Sequence, residues 1–322
     1  MFQKFEHLPF EREDDLRGVF LFILVPRHMS KQIQILPVLN KKGGVGKTTT
    51  AVNVAAGLAR RGRDVLLVDL DGQGSASISL GVSNDNLTPS SADVLSDNIP
   101  VDEAIRSTER DSLDLLTGSL DLAGTEKALQ SQARSQYRLS ELLSSLRTTY
   151  DTIVIDCEPS ASTLTLNAIV AADAFLVPVS PSYLAYEGLL SLFKMIRYVR
   201  IELGEAAPIL GVVLTMVKPK ATSAEVPIRQ LRKHFGGKVF DTEIRVDAHL
   251  EEAPIEGIDV FKYAPASTGA NDYQQLVKEI EERLQRYGAA YQTLKNALSS
   301  EEGEVQAEAL PSLEAMKSKL SA

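Results

Sequence analysis

A short glycine-rich stretch, NKKGGVGKTTT at residues 40–50, restricts most strongly what this chain can fold into. It lies between an apolar, β-branched run at 33–39 and a segment of helical period that begins near Lys47. A glycine-rich turn between a buried strand and a helix presents consecutive backbone N–H groups to an anion, with the helix dipole assisting. The stretch therefore predicts a phosphate-binding loop in which Lys47 contacts the β- and γ-phosphates and Thr48 ligates Mg²⁺.

Two aspartates follow predicted strands at positions where such a loop needs carboxylates. The run DTIVID has the form of a Walker B strand, and its last residue, Asp156, is expected to organise the Mg²⁺ shell. The run VLLVDLDGQG ends a second strand and places Asp71 on the loop that follows. Taken alone, Asp71 with Gly72 indicates only a turn. Because strand ends line the ligand crevice of such folds, Asp71 is also expected to orient or deprotonate an attacking water.

The chain beyond residue 32 alternates short β-branched runs with longer segments of helical period. This pattern predicts an α/β fold in which a mostly parallel, twisted sheet carries helices on both faces. Two predicted strands contain prolines, Pro37 and Pro178, which offer no N–H to a ladder, and Gly62 is expected to end the first helix. Predicted strands are 33–39, 64–70, 113–116, 151–156, 174–180, 209–217 and 238–240; predicted helices are 47–61, 120–147, 163–172, 184–202, 225–235 and 271–287.

The sequence divides into three parts. Residues 1–30 are expected to be an N-terminal extension, either disordered or the product of a misplaced start, because Met29 directly precedes the first strand. Residues 31–287 are expected to form one domain built around the phosphate-binding loop, and 288–322 an acidic tail rich in Ala, Ser and Glu. The apolar run at 18–26 is shorter than the about 20 residues that span a bilayer and follows acidic residues, so neither a membrane span nor an export signal is expected.

Several longer stretches occur together in one order: KGGVGKTTT, VLLVDLDGQG, YDTIVIDCEPS, PVSPSYLAYEGLLSL, and FDTEI followed by EEAP. In order and spacing they resemble the ParA/MinD group of deviant Walker A ATPases, most closely the ParA-type partition ATPases. The resemblance extends from about residue 31 to 287 and implies a P-loop NTPase fold with ATP and Mg²⁺ as cofactors. It implies that nucleotide is bound by Lys42, Gly43, Gly44, Val45, Gly46, Lys47, Thr48 and Thr49, and the metal by Thr48 and Asp156.

The resemblance also gives a role to the second lysine of the loop, Lys42. In that family, the lysine at this position crosses a dimer interface and contacts the phosphates of nucleotide held by the other subunit. A cation supplied in trans stabilises charge on the transferring phosphoryl group, and it makes dimerisation depend on ATP. Lys42, Lys47 and Asp71 are therefore the expected catalytic residues, and loss of Asp71 is expected to trap an ATP-bound dimer. Lys41 occupies a position where the family tolerates any polar residue.

The function implied is that of an ATP-dependent partition or positioning ATPase. ATP would drive a homodimer that binds DNA non-specifically, and a ParB-like or other adaptor protein would stimulate a slow hydrolysis that releases it. The cargo would be a plasmid, a chromosome or another assembly, and the protein would be cytoplasmic and nucleoid-associated. A single cysteine, Cys157, excludes an internal disulfide framework and is compatible with the cytosol.

Some positions depart from the family pattern. Gly72 replaces a proline, which should loosen its loop, and Glu158 replaces another proline close to the expected Mg²⁺. In TEIRVDAHLEEAP, Arg245 occupies the place of a proline, and Val246 and His249 occupy the places of two arginines. In that family this region helps to recognise the nucleobase and to bind DNA, so these departures fall on positions that carry both properties.

Basic residues are concentrated elsewhere. Between residues 194 and 240 there are nine Lys or Arg and three acids, an excess of six positive charges in a chain of net charge −9. Such asymmetry indicates a surface for the phosphate backbone, or else a solvated helical face whose charges pair with acids. The DNA-binding candidates are Arg197, Arg200, Lys218, Lys220, Arg229, Arg232, Lys233 and Arg245.

Two alternatives share the same fold. A MinD-like membrane-associated ATPase needs a basic, amphipathic C-terminal helix, and the tail LPSLEAMKSKL is short and carries few cations, so membrane binding is not expected. A redox relative such as the nitrogenase iron protein needs two cysteines per chain for a cluster that bridges subunits, and this sequence has one.

Overall fold

The computed structural model describes residues 34–182, 185–203, 207–218 and 222–301. Within these residues eight strands form one sheet in the order β3-β4-β2-β5-β1-β6-β7-β8. All neighbouring strands run parallel except β3 and β4, which are antiparallel at one edge. The strands are β1 (Ile35–Val38), β2 (Val65–Leu70), β3 (Ile105–Ser107), β4 (Leu113–Leu116), β5 (Thr152–Cys157), β6 (Phe175–Val179), β7 (Ile209–Val217) and β8 (Val239–Arg245).

Helices connect the strands and cover the sheet. They are α1 (Lys47–Ala59), α2 (Ser75–Ser79), α3 (Ser91–Leu95), α4 (Val101–Ala104), α5 (Leu122–Gln130), α6 (Arg138–Ser144), α7 (Thr163–Ala171), α8 (Ala185–Leu203), α9 (Thr222–Phe235), α10 (His249–Glu252), α11 (Val260–Tyr263) and α12 (Thr268–Glu301). Short 3-10 turns lie at Asn84–Asn86, Ser135–Tyr137, Ser145–Thr148, Gly236–Lys238 and Ala253–Glu256. In the part of the chain that the structure describes, no helix is long and apolar enough to cross a membrane.

The core consists of two apolar layers, one on each face of the sheet. On β1, Leu36 and Val38 pack into the layer that contains α1 and α12, whereas Ile35 and Leu39 pack into the layer that contains α7 and α8. This alternation follows from the two-residue period of a strand, and a strand covered on both faces is apolar throughout. The predicted α/β architecture, with helices on both faces of a mostly parallel sheet, is confirmed.

Pro37 lies inside β1 and Pro178 inside β6, and both lack an N–H at the boundary between these two adjacent strands. Between β1 and β6, the Asp173 N–H donates to the Ile35 carbonyl at 3.0 Å and the Leu39 N–H to the Leu176 carbonyl at 2.9 Å, and the one register pair is Val38 with Leu176. Backbone N–H groups two residues apart on a strand point to the same neighbour, so the position of the missing N–H of Pro37 faces β6, as the N–H of Leu39 does. The position of the missing N–H of Pro178 faces β1. The Asn40 side-chain amide donates to the Pro178 carbonyl at 2.8 Å and replaces part of the ladder.

Two predicted elements differ from the structure, and the edge strand β3 was not predicted. The helix predicted over 120–147 is divided into α5, α6 and 3-10 turns, because Arg134, between α5 and α6, has a left-handed φ of +59° that a right-handed helix does not allow. The sequence pattern does not indicate β3, because this strand is only three residues long and partly exposed at the edge. The strand predicted over 238–240 extends to Arg245 as β8, an edge strand in which three consecutive polar residues, 241–243, separate the buried Phe240 from the buried Ile244.

The first and last helices end at other residues than predicted: α1 ends at Ala59 and not at 61, and α12 ends at Glu301 and not at 287. Gly62 lies just beyond α1 with φ +85° and donates to the Ala59 carbonyl, as expected of a helix stop. The last helix, α12, continues past Tyr287 to Glu301. The predicted extension at 1–30 and the tail beyond 301 lie outside the described residues.

Candidate active site

The glycine-rich loop joins β1 to α1 at the carboxyl edge of the sheet. Gly44 and Gly46 adopt left-handed φ values of +66° and +76°, which only glycine adopts without strain. No side chain caps the start of α1 at Gly46, and the first turn carries no acid. A Cβ placed on Gly43 or Gly44 would meet nothing within 4 Å. The loop thus offers free N–H groups and open space to an anion, which is the geometry of a phosphate site.

Two side chains that the sequence did not single out fix the loop from neighbouring strands. The Asn40 carboxamide accepts the Lys42 N–H at 3.0 Å through its oxygen while its nitrogen is bonded to Pro178. On the other side, the Thr215 hydroxyl of β7 donates to the Val45 carbonyl at 2.9 Å. The loop is therefore preorganised by hydrogen bonds from two strand ends.

Lys47 opens α1 and is almost completely buried. Its ammonium donates to the Lys42 carbonyl at 3.5 Å, so the side chain curls back under the loop. Burial lowers the pKa of Lys47, while the carboxylates of Asp156 and Asp71 act against this shift. A desolvated cation under a ring of free N–H groups is suited to the terminal phosphates of a nucleotide.

Asp156, near the end of β5, is fully buried. Neither of its carboxylate oxygens accepts a hydrogen bond of ordinary geometry, although the Thr48 hydroxyl is close enough to oppose the rise in its pKa. Burial, and then the neighbouring Asp69 carboxylate, raise the pKa of Asp156 well above its usual value. A buried carboxylate with unfilled acceptors is costly, and a divalent cation would satisfy it. The donor set of Thr48 and Asp156 therefore fits Mg²⁺.

The described residues contain no cluster of three or more His, Cys, Asp or Glu arranged to hold a metal. Mg²⁺ sites in nucleotide-binding proteins typically use one or two protein oxygens and take the remainder from phosphates and water. A small protein donor set is what this chemistry requires.

Asp71 lies on the turn after β2 and is partly exposed at the same edge of the sheet. One of its carboxylate oxygens accepts the Gln73 N–H at 2.9 Å, and its carbonyl accepts the Gly74 N–H at 2.9 Å. The turn is therefore held by its own hydrogen bonds even though Gly72 replaces the proline of the family. The strand ends bring Asp71, Asp156 and Lys47 into electrostatic contact, as the motif spacing predicts.

The two loop lysines have different surroundings. Lys41 donates to the Ser191 hydroxyl of α8 at 3.0 Å and is partly buried. Lys42 is exposed, and its ammonium is 3.4 Å from the Ser182 hydroxyl. Lys41 thus braces the loop against α8, whereas Lys42 is exposed to solvent.

Glu158, the other departure near the metal donors, is partly buried and accepts a 2.6 Å hydrogen bond from Ser160. The acids that act on Lys47 are Asp156 and Asp71. Glu158 is therefore held in its own turn.

The DNA-binding candidates are distributed over several elements. Arg197 and Arg200 are partly buried on α8 and have partners within the chain. Arg232 on α9 pairs with Glu243 at 2.9 Å. Lys218, Arg229 and Lys233 are exposed at the end of β7 and on α9. Lys220 lies outside the described residues.

The end of β8 carries the altered family positions. Arg245 forms a bidentate pair with Asp272 of α12, and its side chain is 45% exposed against 9% for Asp272. Val246 follows and is exposed, and the His249 ring nitrogen Nδ1 lies 2.7 Å from Asp247. Arg245 is thus largely neutralised by an internal acid.

Comparison with known proteins identifies the family. The family model described as AAA domain matches residues 33–207. The sporulation initiation inhibitor protein Soj of Bacillus subtilis is 39% identical over 77% of this chain and 98% of its own length. The chromosome partitioning protein ParA of Caulobacter vibrioides is 40% identical over 77% of this chain and 94% of its own length. This chain belongs to the ParA-type family of P-loop ATPases.

Solved structures agree with this ParA-type assignment in fold. Cobyrinic acid a,c-diamide synthase from Mycobacterium smegmatis, solved with an ATP analog and magnesium, superposes with a TM-score of 0.67 at 31% identity, covering 76% of this chain and 93% of that one. The cell division ATPase MinD from Pyrococcus furiosus superposes with a TM-score of 0.64 at 28% identity, covering 77% of this chain and 98% of that one. Both share the layered α/β fold of the ParA-type chain.

The structure adds residues that the motif analysis left without a role. Asn40 and Thr215 brace the loop, and the buried Asp69 is the register partner of Asp156 and accepts the Asp71 N–H. Asp69 could have been found from the sequence, because it lies two residues before Asp71 in the same VDLD stretch. Thr215 had none, because only the parallel order of β1, β6 and β7 brings it to the ParA-type loop.

Proposed function

We propose that this chain is a partition ATPase that dimerises on ATP, binds DNA non-specifically in the ATP state and is released when an adaptor protein stimulates slow hydrolysis. Nucleotide hydrolysis in general follows from the family; the cycle and its partners are the proposal. The observation that carries it is the fully buried Asp156, with both oxygens unfilled, beside Lys47 and the open loop. This charge arrangement is completed by a metal-bound nucleoside triphosphate.

The chain's own residues have distinct tasks in this proposal. Loop N–H groups and Lys47 hold the phosphates, and Thr48 and Asp156 hold Mg²⁺. When bound, Mg²⁺ neutralises charge on the phosphate oxygens. Asp71 orients the attacking water from the turn after β2, its other contacts being satisfied within the turn.

Lys42 is proposed to act on the nucleotide of a second copy of the chain. Its exposure, in contrast to the partly buried Lys41, supports this assignment. A cation delivered from a second subunit acts as an arginine finger does. Two faces carrying such lysines would repel each other without the phosphates, which couples dimerisation to ATP.

The proposed DNA surface consists of Lys218, Arg229 and Lys233, which are exposed cations. Binding through phosphates is independent of sequence and depends steeply on salt. The test is binding of a labelled duplex to the full chain with Mg-ATP, with Mg-ADP and without nucleotide, at several salt concentrations. Tight binding only with Mg-ATP is expected, and equal binding in all three states would overturn the proposal.

The alternative, a MinD-like membrane-associated ATPase, is favoured only by the shared fold of MinD from Pyrococcus furiosus. Co-sedimentation with anionic lipid vesicles in the presence of Mg-ATP distinguishes the two. Pelleting with vesicles, together with loss of DNA binding, would replace the partition proposal with this one.

A further inference from the structure

Asp69, near the end of β2, is fully buried and accepts three hydrogen bonds from the turn that follows it. One oxygen accepts the Asp71 N–H at 3.0 Å. The other accepts the Ser77 N–H at 2.9 Å and the Ser77 hydroxyl at 2.7 Å. A single carboxylate therefore joins the first residue of the turn to the helix α2 at the turn's far end.

The same network extends to a second strand end. The Gly118 N–H, in the segment after β4, donates to the Ser77 oxygen at 3.1 Å. A Cβ at Gly118 would lie 2.6 Å from the Asp71 carbonyl oxygen and 2.8 Å from an Asp69 carboxylate oxygen. These separations are too short for any side chain, so glycine at this position allows the backbone of one loop to lie directly on the other.

We infer that Asp69 is a positioning residue that fixes the Asp71 turn for hydrolysis, with Ser77 as its partner. The inference rests on the proposed role of Asp71 toward the attacking water. Hydrogen bonds to an ionised carboxylate are about twice as strong as those between neutral groups. By holding the turn, they restrict the positions that the Asp71 carboxylate can adopt. Asp69 acts through the turn: its own oxygens are occupied by the N–H groups and the hydroxyl.

The hydrogen bonds of this network do not involve the loop groups that hold the phosphates, although Asp69 is the register partner of the metal donor Asp156. The loop at 40–50 is braced by Asn40 and Thr215. Loosening the Asp71 turn should therefore slow the chemical step while leaving nucleotide affinity unchanged. If Asp69 and Ser77 had only a structural role, their loss would change stability without lowering kcat at a constant KM.

The variants Ser77→Ala and Asp69→Asn test the inference. Ser77→Ala removes the hydroxyl from both Asp69 and Gly118. The matched control is Ser79→Ala on the same short helix, whose hydroxyl donates to the Ser75 carbonyl at 2.7 Å within that helix. Asp69→Asn places an amide where N–H donors converge, and a circular dichroism spectrum first establishes whether it folds.

Two readouts are measured on the full chain with Mg-ATP: kcat and KM, and amide hydrogen exchange over residues 71–74. We expect Ser77→Ala to lower kcat by about tenfold, the loss of one charge-assisted hydrogen bond, with KM within about twofold of wild type. Exchange at 71–74 should accelerate in Ser77→Ala and remain at the wild-type rate in Ser79→Ala.

Unchanged kcat and unchanged exchange in Ser77→Ala would overturn the inference while leaving the proposed function intact. Equal losses in Ser77→Ala and Ser79→Ala would also overturn it, because the effect would then belong to the helix as a whole. If the wild-type chain does not hydrolyse ATP, the proposed function fails. The exchange comparison then still decides whether Asp69 and Ser77 fix the turn.

Discussion

Asp69 and Asp156 are register partners on the adjacent parallel strands β2 and β5, and both side chains are fully buried. Burial is the main reason why the pKa of Asp69 is raised to about 6, and burial together with the Asp69 carboxylate raises the pKa of Asp156 well above its usual value. The cost of burying the Asp69 carboxylate is offset by hydrogen bonds from Ser77 and Asp71, whereas Asp156 accepts no hydrogen bond of ordinary geometry. The desolvation of the Asp156 carboxylate is therefore the larger uncompensated free-energy cost of the two.

Asp156→Asn should therefore stabilise the nucleotide-free protein and abolish its response to Mg-ADP. Removing a buried, unpaired carboxylate relieves on the order of 1–3 kcal/mol. The same change removes a metal donor. Chemical denaturation at pH 7, with and without Mg-ADP, measures both effects, and Asp64→Asn, an exposed residue before β2, is the control. A nucleotide-free variant less stable than wild type and still stabilised by Mg-ADP would contradict the metal assignment.

The exposed cations at the end of β7 and on α9 should carry DNA binding. Alanine at Lys218, Arg229 and Lys233 together should weaken binding in the ATP state for every duplex sequence. Each lost phosphate contact should lower the slope of log affinity against log salt by about 0.9. Fluorescence anisotropy as a function of salt concentration gives this slope. An unchanged slope would place the DNA surface elsewhere.

Arg245→Ala serves as the contrasting variant, because Arg245 is paired with Asp272. Its loss leaves a nearly buried carboxylate without its cation, so the melting temperature should fall. DNA affinity and the salt slope should remain close to wild type. A large loss of DNA affinity without a change in melting temperature would restore Arg245 as a DNA contact.

Lys238 should make stability rise with pH above neutrality. Its ammonium donates to the Ile209 carbonyl at 3.1 Å and to the Tyr287 hydroxyl at 2.5 Å, and burial, with help from Arg283, lowers its pKa to about 8. An unfolded lysine titrates near 10.4. Below pH 8 both states are protonated, and above it the unfolded chain binds more protons, so the free energy of unfolding gains with pH up to about 10.

Lys238→Met should remove this gain. Other groups titrate in the same range, so the measured quantity is the difference between wild type and variant in urea denaturation from pH 7 to 10. Lys233→Met, an exposed lysine on α9, should follow wild type at each pH. Parallel curves for wild type and Lys238→Met would show that Lys238 is protonated throughout this range in both states.

Much of the site could be predicted from local sequence, because its residues follow directly after strands. A parallel sheet brings the ends of β1, β2 and β5 to one edge, so Lys47, Asp71 and Asp156 meet without any long-range information beyond strand order. The same holds for the apolar layers, since the buried strands are continuous apolar runs.

The remainder depends on contacts between residues far apart in the chain. The Arg245–Asp272 pair and the hydrogen bond from Gly118 to Ser77 join segments that no periodicity relates. The break between α5 and α6 was missed because Arg134 turns the chain with a positive φ and neither proline nor glycine marks it. The edge strand β8 was shortened in prediction because its polar residues weaken the apolar pattern on which strand assignment relies.

The most direct test of the account is the mass of Lys42→Ala in solution with Mg-ATP, measured by light scattering beside wild type and Lys41→Ala. Lys41 is bonded to Ser191 within the chain, whereas Lys42 is exposed. Wild type and Lys41→Ala should form dimers with Mg-ATP and not with Mg-ADP, and Lys42→Ala should remain a monomer with greatly reduced ATP turnover. A Lys42→Ala protein that dimerises with Mg-ATP and hydrolyses it at the wild-type rate would contradict the proposed ATP-dependent dimer.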